Sequence, residues 1–168
     1  AIARSAPNTV AFKMCHTGET VSYGQLEFRS NQGAQLFRSC DLKTGDHVVI
    51  LMENNRHFLE ICYSADRSGL YYTTISTYFT PYEIEYIISD CRAKVFITSY
   101  AMAQVAAELV SRMPGVTHRY MVGGVIPDYE SWEAACAGLP EDPIGDEMQG
   151  QDMLYSSGTT GRPKGVKW

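Results

Sequence analysis

Between Leu154 and Val166 the chain reads Leu-Tyr-Ser-Ser-Gly-Thr-Thr-Gly-Arg-Pro-Lys-Gly-Val. Ser156, Ser157, Thr159 and Thr160 supply hydroxyls. Gly158, Gly161 and Gly165 supply backbone amides that no Cβ shields, and Lys164 supplies a mobile positive charge. Phosphate oxygens need several donors converging on one point, and glycine-rich backbone provides them. A lysine adds a point charge able to follow a phosphoryl group as it moves. The inventory is that of a polyphosphate cradle. A flexible Gly/Ser/Thr linker is the bland alternative. A linker, however, has no reason to follow an apolar Met153-Leu154-Tyr155 strand, end in Arg162-Pro163-Lys164-Gly165 and resume with Val166. A Walker A loop, counted from Gly158, also places Lys164 at the right distance. It fails because Pro163 stands where the second glycine should donate an N–H and Gly165 stands where a Ser/Thr should meet magnesium.

The run resembles the phosphate-binding signature of the adenylate-forming superfamily, which includes acyl-CoA synthetases, luciferases and the adenylation domains of peptide synthetases. That signature reads aromatic, Ser/Thr, Ser, Gly, Thr, Thr, Gly, variable, Pro, Lys, Gly, and Tyr155 to Gly165 matches every position. The resemblance extends upstream. Gly69 to Ser76, the helix entry Phe79-Thr80-Pro81 and the run Ser89 to Val95 are similar to fatty-acyl-CoA synthetases, more so than to peptide-synthetase modules. Thr74 departs from the family, which often carries a proline there, and this weakens the substrate assignment rather than the superfamily.

The resemblance implies a two-step ligase using ATP, Mg2+ and coenzyme A. A carboxylate, here a fatty acid by the closeness to those synthetases, attacks the α-phosphate of ATP to give an acyl-adenylate and pyrophosphate, and the CoA thiol then displaces AMP. Charge grows on the departing pyrophosphate in the first step, so donors aimed at the β- and γ-phosphates lower the barrier. That task falls to Ser156, Ser157, Thr159, Thr160 and Lys164, with amides from Gly158, Gly161 and Gly165, and Lys164 is the catalytic residue. No metal ligand is assigned. Arg162 occupies the variable position and is expected to face solvent. In the family the adenine pocket, the magnesium ligand, the acyl tunnel and the C-terminal domain lie downstream of Trp168. Residues 1–168 are therefore expected to be the N-terminal portion of the large AMP-binding domain, inactive alone. The alternative is a non-catalytic phosphate- or nucleotide-binding module.

A loop of this kind needs a rigid body to hold it, and 168 residues suffice to bury roughly 70% of the unfolded surface. The net charge of −5, with no basic stripe, argues against nucleic acid as a partner. No apolar run approaches the ~18 residues of a membrane span. Ala1 to Pro7 lacks the apolar centre of a signal peptide, so a cytoplasmic protein is expected. The five cysteines (15, 40, 62, 91 and 136) form no C-x-x-C pair and read as reduced, buried filler. The histidines at 16, 47, 57 and 118 show no metal-ligand spacing.

In chain order, Val10–Cys15 and Glu19–Ser22 flank a turn at Gly18 and predict a hairpin. Ser22 and Gln25 predict a capping box opening a helix with Leu26, Gly33, Leu36, Phe37 and Cys40 inward. His47 to Met52 is a buried strand, followed by Asn54 and Asn55, which either turn the chain or touch a ligand at the strand's carboxyl end, and a helix through Phe58, Ile61, Cys62 and Ala65. Tyr71–Ser76, Lys94–Thr98 and His118–Val122 are further strands. Thr80, Pro81 and Glu83 open a helix buried through Ile84, Ile87, Ile88 and Cys91. Met102 to Met113 forms another, and a short helix lies around Tyr129 to Ala137. Gly123-Gly124 reads as a turn rather than a nucleotide fingerprint. Glu141 to Asp152, with five carboxylates and no base, reads as a solvated loop. Alternating strands and helices predict an α/β fold, a sheet of parallel character with helices on both faces.

Overall fold

The structure is a computed structural model that describes residues 2–156 and 164–166. A short helix α1 (Ile2–Ser5) precedes an antiparallel hairpin, β1 (Val10–Lys13) and β2 (Thr20–Ser22). Gly18 takes φ +72° in the connection, a region that favours glycine. Helix α2 (Tyr23–Ser39) starts at the expected capping box. The Gln25 N–H donates to Ser22 Oγ at 3.2 Å, and the Ser22 N–H donates to Gln25 Oε1 at 2.9 Å.

The body then alternates β3 (His47–Leu51), α3 (Phe58–Arg67), β4 (Tyr71–Thr74), α4 (Pro81–Cys91), β5 (Val95–Ser99), α5 (Ala103–Leu109) and β6 (His118–Val122). After β6 come β7 (Glu130–Ser131), α6 (Trp132–Cys136) and β8 (Gln151–Asp152). Six strands form one parallel sheet in the order β7-β6-β5-β3-β4-β8. The chain therefore enters at β3, steps to β4 on one side, and crosses back to place β5 and β6 on the other. Right-handed crossovers of opposite direction must lie on opposite faces. Accordingly Ile61, Cys62 and Ala65 of α3 join Phe37, Val48, Ile50 and Trp132 on one face. Ile84, Ile87 and Ile88 of α4 join Val49, Leu51, Phe96 and Leu109 on the other. With both faces covered, β3 and β5 are buried at every position, which is why Val48 to Leu51 and Val95 to Ile97 read as apolar runs rather than alternating ones.

Helices α2 and α3 approach closely because Gly33 has no side chain. A Cβ there would overlap the Ser64 hydroxyl and stand 2.7 Å from Ser64 Cβ and 3.1 Å from Trp132 Cζ2. Helix α4 carries the expected box, with the Thr80 N–H donating to Glu83 Oε2 at 2.8 Å and Glu83 N–H to Thr80 Oγ1 at 3.4 Å. It ends at Arg92 in the left-handed conformation, φ 56°.

Several expectations need correction. The segment before β8 is more than a solvated loop. Asn31, Gln32 and Gln35 of α2 donate side-chain amides to the carbonyls of Glu141, Leu139 and Asp142 at 2.6, 3.1 and 3.0 Å, and Arg38 Nε reaches both carboxylate oxygens of Asp146 at 3.1 Å. Its last residues, Gln151–Asp152, are a sheet strand, and β7 was not anticipated. Leu26 and Cys40 of the first long helix are only half-buried. The helix through Met102–Met113 is a short α5 between two 3₁₀ turns, Tyr100–Met102 and Val110–Arg112. Cys15 is exposed, and Cys40 contacts the Tyr120 hydroxyl at 3.1 Å.

Gly33→Ala is expected to destabilise the fold by about 1–3 kcal/mol through overpacking, measured as a lower denaturation midpoint. Asn31→Ala, which removes the donor to Glu141, is expected to cost about 1 kcal/mol, with faster amide exchange concentrated in residues 139–146.

Candidate functional site

The strand leading to the Ser/Thr/Gly motif is fastened to the sheet edge residue by residue. Gly150 N–H donates to the Asp66 carbonyl at 2.5 Å, Gln151 N–H to Leu70 O at 3.0 Å and Met153 N–H to Tyr72 O at 2.9 Å. Gly150 must be glycine for space. A Cβ would meet the backbone carbonyls of Leu70, Asp66 and Ala65, the last two at 2.9 and 3.0 Å, and backbone cannot rotate away. One residue further, the buried Thr73 hydroxyl donates to Met153 O at 2.9 Å. Thr73 also lies 3.5 Å from His47 Nε2, whose ring stacks on Tyr71 with centroids 5.3 Å apart.

Beyond Met153 the chain leaves the sheet as β9 (Leu154–Ser156) and pairs antiparallel with β10 (Lys164–Val166). The register sets Lys164 opposite Ser156, Gly165 opposite Tyr155 and Val166 opposite Leu154. The backbone thus brings together Ser156, Lys164 and Gly165 of the site residues expected from sequence. Ser157, Gly158, Thr159, Thr160 and Gly161 lie outside the described residues, as do Arg162 and Pro163.

The hairpin is also held from the side. The Tyr155 hydroxyl donates to Asp90 Oδ2 at 2.6 Å, and the Tyr155 ring packs against the α4 face of the sheet. Burial and then the Asp90 hydrogen bond push the Tyr155 phenol well above its ordinary value, so it is a donor at any physiological pH. His47, Asp90, Cys91, Arg92, Met153 and Gly165 line a cleft of about 540 Å3 beneath the hairpin.

Sequence reasoning missed Asp90, Thr73 and a second polar cluster on the opposite face. There, the buried Glu60 carboxylate accepts from Trp132 Nε1 at 3.1 Å and lies 2.7 Å from His57 Nδ1 through the same Oε1. An acid on the apolar side of α3, three residues after a histidine, is the signal that could have marked it. Asn55 does what the turn reading expected, accepting the His57 N–H at 2.9 Å before α3. The thiols of Cys62 and Cys136 are pushed up to about 12, chiefly by burial, and so stay protonated and unreactive. Among the described residues no three His, Cys, Asp or Glu side chains gather where they could hold a metal.

Comparisons agree with this geometry. The pattern of the family described as AMP-binding enzyme matches residues 1–168. Over 98% of this chain, 29% of residues are identical with fatty acid–[acyl-carrier-protein] ligase ScoC of Streptomyces coeruleorubidus, covering 30% of that protein. Long-chain-fatty-acid–CoA ligase FadD13 of Mycobacterium tuberculosis is 30% identical over 96% of this chain and 32% of its own length. The chain thus spans about 30% of the curated relatives it matches. The crystal structure of the N-terminal domain of FACL13 from Mycobacterium tuberculosis, with inhibitor bound, superimposes with a TM-score of 0.85 at 26% identity, covering 98% of this chain and 41% of that one. The anthranilate CoA ligase AuaEII in complex with anthranoyl-AMP shares the fold, with a TM-score of 0.86 at 24% identity over 98% of this chain and 33% of that one. The family match extends across residues 1–168, and this chain belongs to the AMP-binding enzyme family.

Proposed function

We propose that the natural protein containing this chain is an ATP-dependent acid–thiol ligase, and that Lys164 with Ser156, Ser157, Thr159, Thr160 and the amides of Gly158, Gly161 and Gly165 binds the β- and γ-phosphates of ATP. One observation carries the reading. The β9–β10 pairing returns Lys164 to Ser156, so the first and last donors of the motif share one end of a hairpin rooted in the sheet. Convergence of that kind is what a polyphosphate requires. Residues 1–168 are the N-terminal portion of the AMP-binding domain in this reading, with 154–166 as its phosphate loop, and are expected to be inactive alone.

The activation step forms a bond between a carboxylate oxygen and the α-phosphorus of ATP and breaks the bond to the bridging oxygen, so pyrophosphate leaves carrying the new charge. Hydroxyl, amide and ammonium donors fixed around that charge stabilise the transition state more than the ground state. In the second step a thiol sulfur takes the acyl group and AMP departs. Mg2+ would accompany ATP, held mainly by the phosphates and water. The names of the relatives support the acid–thiol class. They include a fatty acid–[acyl-carrier-protein] ligase, a long-chain-fatty-acid–CoA ligase and, at 33% identity over 89% of this chain, the 4-coumarate–CoA ligase 5 of Oryza sativa subsp. japonica. Within that class we take a fatty acid as the substrate and coenzyme A as the acceptor. Among the described residues no helix is long and apolar enough to cross a membrane.

Carboxylate-dependent exchange of labelled pyrophosphate into ATP, run on the natural protein with a panel of fatty and aromatic acids, tests the reading. Exchange with at least one acid is expected, strongest with fatty acids, and absence of exchange with all of them would refute it. Lys164→Ala is expected to lower kcat/KM for exchange by about 2–4 kcal/mol of transition-state stabilisation, on the order of 30- to 1000-fold.

A further inference from the structure

Tyr155 joins three things that the chain holds far apart: the incoming strand β9, the returning strand β10 and the end of helix α4. Its hydroxyl donates to Asp90 at 2.6 Å. Its ring is also the surface on which β10 lies. A Cβ on Gly165 would stand 3.1 Å from Tyr155 Cζ, 3.3 Å from its hydroxyl oxygen and 2.8 Å from Met153 Cε. Gly165 has no left-handed backbone, so close packing on Met153 and the tyrosine ring, rather than conformation, is what disfavours a side chain there.

Asp90 is the more telling partner. It sits in the last turn of α4, a turn with no basic residue, where a carboxylate meets the negative end of the helix dipole and is disfavoured. Asp90 is exposed there, and the tyrosine hydroxyl gives it a donor within the protein. Helix α4 is a rigid anchor: its first turn is closed by the Thr80–Glu83 box, and Ile84, Ile87 and Ile88 are buried against the sheet. Thr73 fixes the same segment from the sheet side through Met153 O. The hairpin is thus gripped at two points, one on each side of Leu154.

We propose that Tyr155 and Asp90, with Gly165 seated on the tyrosine ring, form a clamp that sets the position of the Ser156–Lys164 hairpin relative to α4. Both are positioning residues: they act through Lys164 and the loop hydroxyls and do not touch the phosphates. This rests on the reading of the loop as the ATP phosphate site.

The test uses the natural protein and its Tyr155→Phe, Asp90→Ala, Asp90→Asn and Tyr155→Phe/Asp90→Ala variants. Tyr155→Phe keeps the ring beneath Gly165 and removes only the hydroxyl. It is expected to raise KM for ATP in the exchange reaction roughly three- to tenfold, the size of one net hydrogen bond, with KM for the carboxylic acid unchanged. Asp90→Ala should do the same and Asp90→Asn, which retains an acceptor, less. The double variant should be no worse than either single one. Amide hydrogen exchange within 154–166 should quicken in Tyr155→Phe while the amides of Ile84 to Ile88 keep their protection. Additive losses in the double variant, or an unchanged KM for ATP together with unchanged exchange in 154–166, would overturn the clamp. A merely structural tyrosine would lower thermal stability and kcat while leaving KM for ATP alone, which also counts against it. If the natural protein exchanges pyrophosphate with no acid, the ligase reading falls by itself. Quickened amide exchange in 154–166 of Tyr155→Phe and Asp90→Ala, no greater in the double variant, then supports the clamp, and wild-type rates overturn it.

Discussion

Burial of β3 on every side is the constraint from which the rest follows. Val48 to Leu51 have no exposed surface, and both backbone edges are taken, by β4 on one side and β5 on the other. A strand in that position must be largely apolar and must have covered faces, since little water reaches its amides or side chains. With β4 and β5 on opposite flanks, the right-handed crossover rule assigns α3 to one face and α4 to the other. The placement of Asp90, at the end of α4, descends directly from this. Reversing the order of β4 and β5 would move α4 to the opposite face and leave Tyr155 without its acceptor.

The sheet poses a second topological problem. After β7 the chain stands at one edge, and the next strand, β8, lies at the other, beyond β4. Only the five-residue α6 intervenes, too short to make the whole return. The segment from Leu139 to Asp146 makes it as irregular backbone, and irregular backbone needs partners for its carbonyls. Helix α2 provides them from a stripe spaced along one side, Asn31, Gln32, Gln35 and Arg38. This explains why α2 is polar on a face that is nevertheless covered. The return ends where Gly150 fits against the carbonyls of Ala65, Asp66 and Leu70, after which β8 can pair and the hairpin can begin.

How much of this was legible in the sequence depends on the range of the interactions. Both capping boxes could be read, because Ser22 with Gln25 and Thr80 with Glu83 are three residues apart and encode their own geometry. The buried strands could be read because their apolar runs are short and bounded by turn residues. The family could be read from the motif at Tyr155–Gly165, because glycines, hydroxyls and a lysine crowd into a few positions in a recognisable order. The two-residue strands β7 and β8 could not, since so short a stretch carries no period and is made a strand by its neighbour alone. Nor could the α2 stripe be assigned, because Asn31 and Glu141 meet across most of the chain. Asp90 looked like an ordinary solvated acid for the same reason: nothing within several residues of it announces Tyr155.

These long-range ties hold the two ends of the segment from Gly150 to Ser156 differently. Native structures open locally in proportion to how few buried contacts hold a segment. From Gly150 to Met153 the chain is bound by consecutive backbone hydrogen bonds and a buried threonine, and it should open only with the sheet. Past Met153 the pairing with β4 ends, β9 pairs with β10, and the Tyr155 hydroxyl ties β9 to Asp90. Under the proposed function the loop has conflicting demands: its donors must be preorganised for a developing charge, which costs no reorganisation when already in place, yet it must admit and release a large anion. Anchoring the base of the hairpin firmly to the sheet and its flank by a single directional bond meets both. It keeps the Ser156–Lys164 pair in register with the core while confining any opening to the segment beyond Met153.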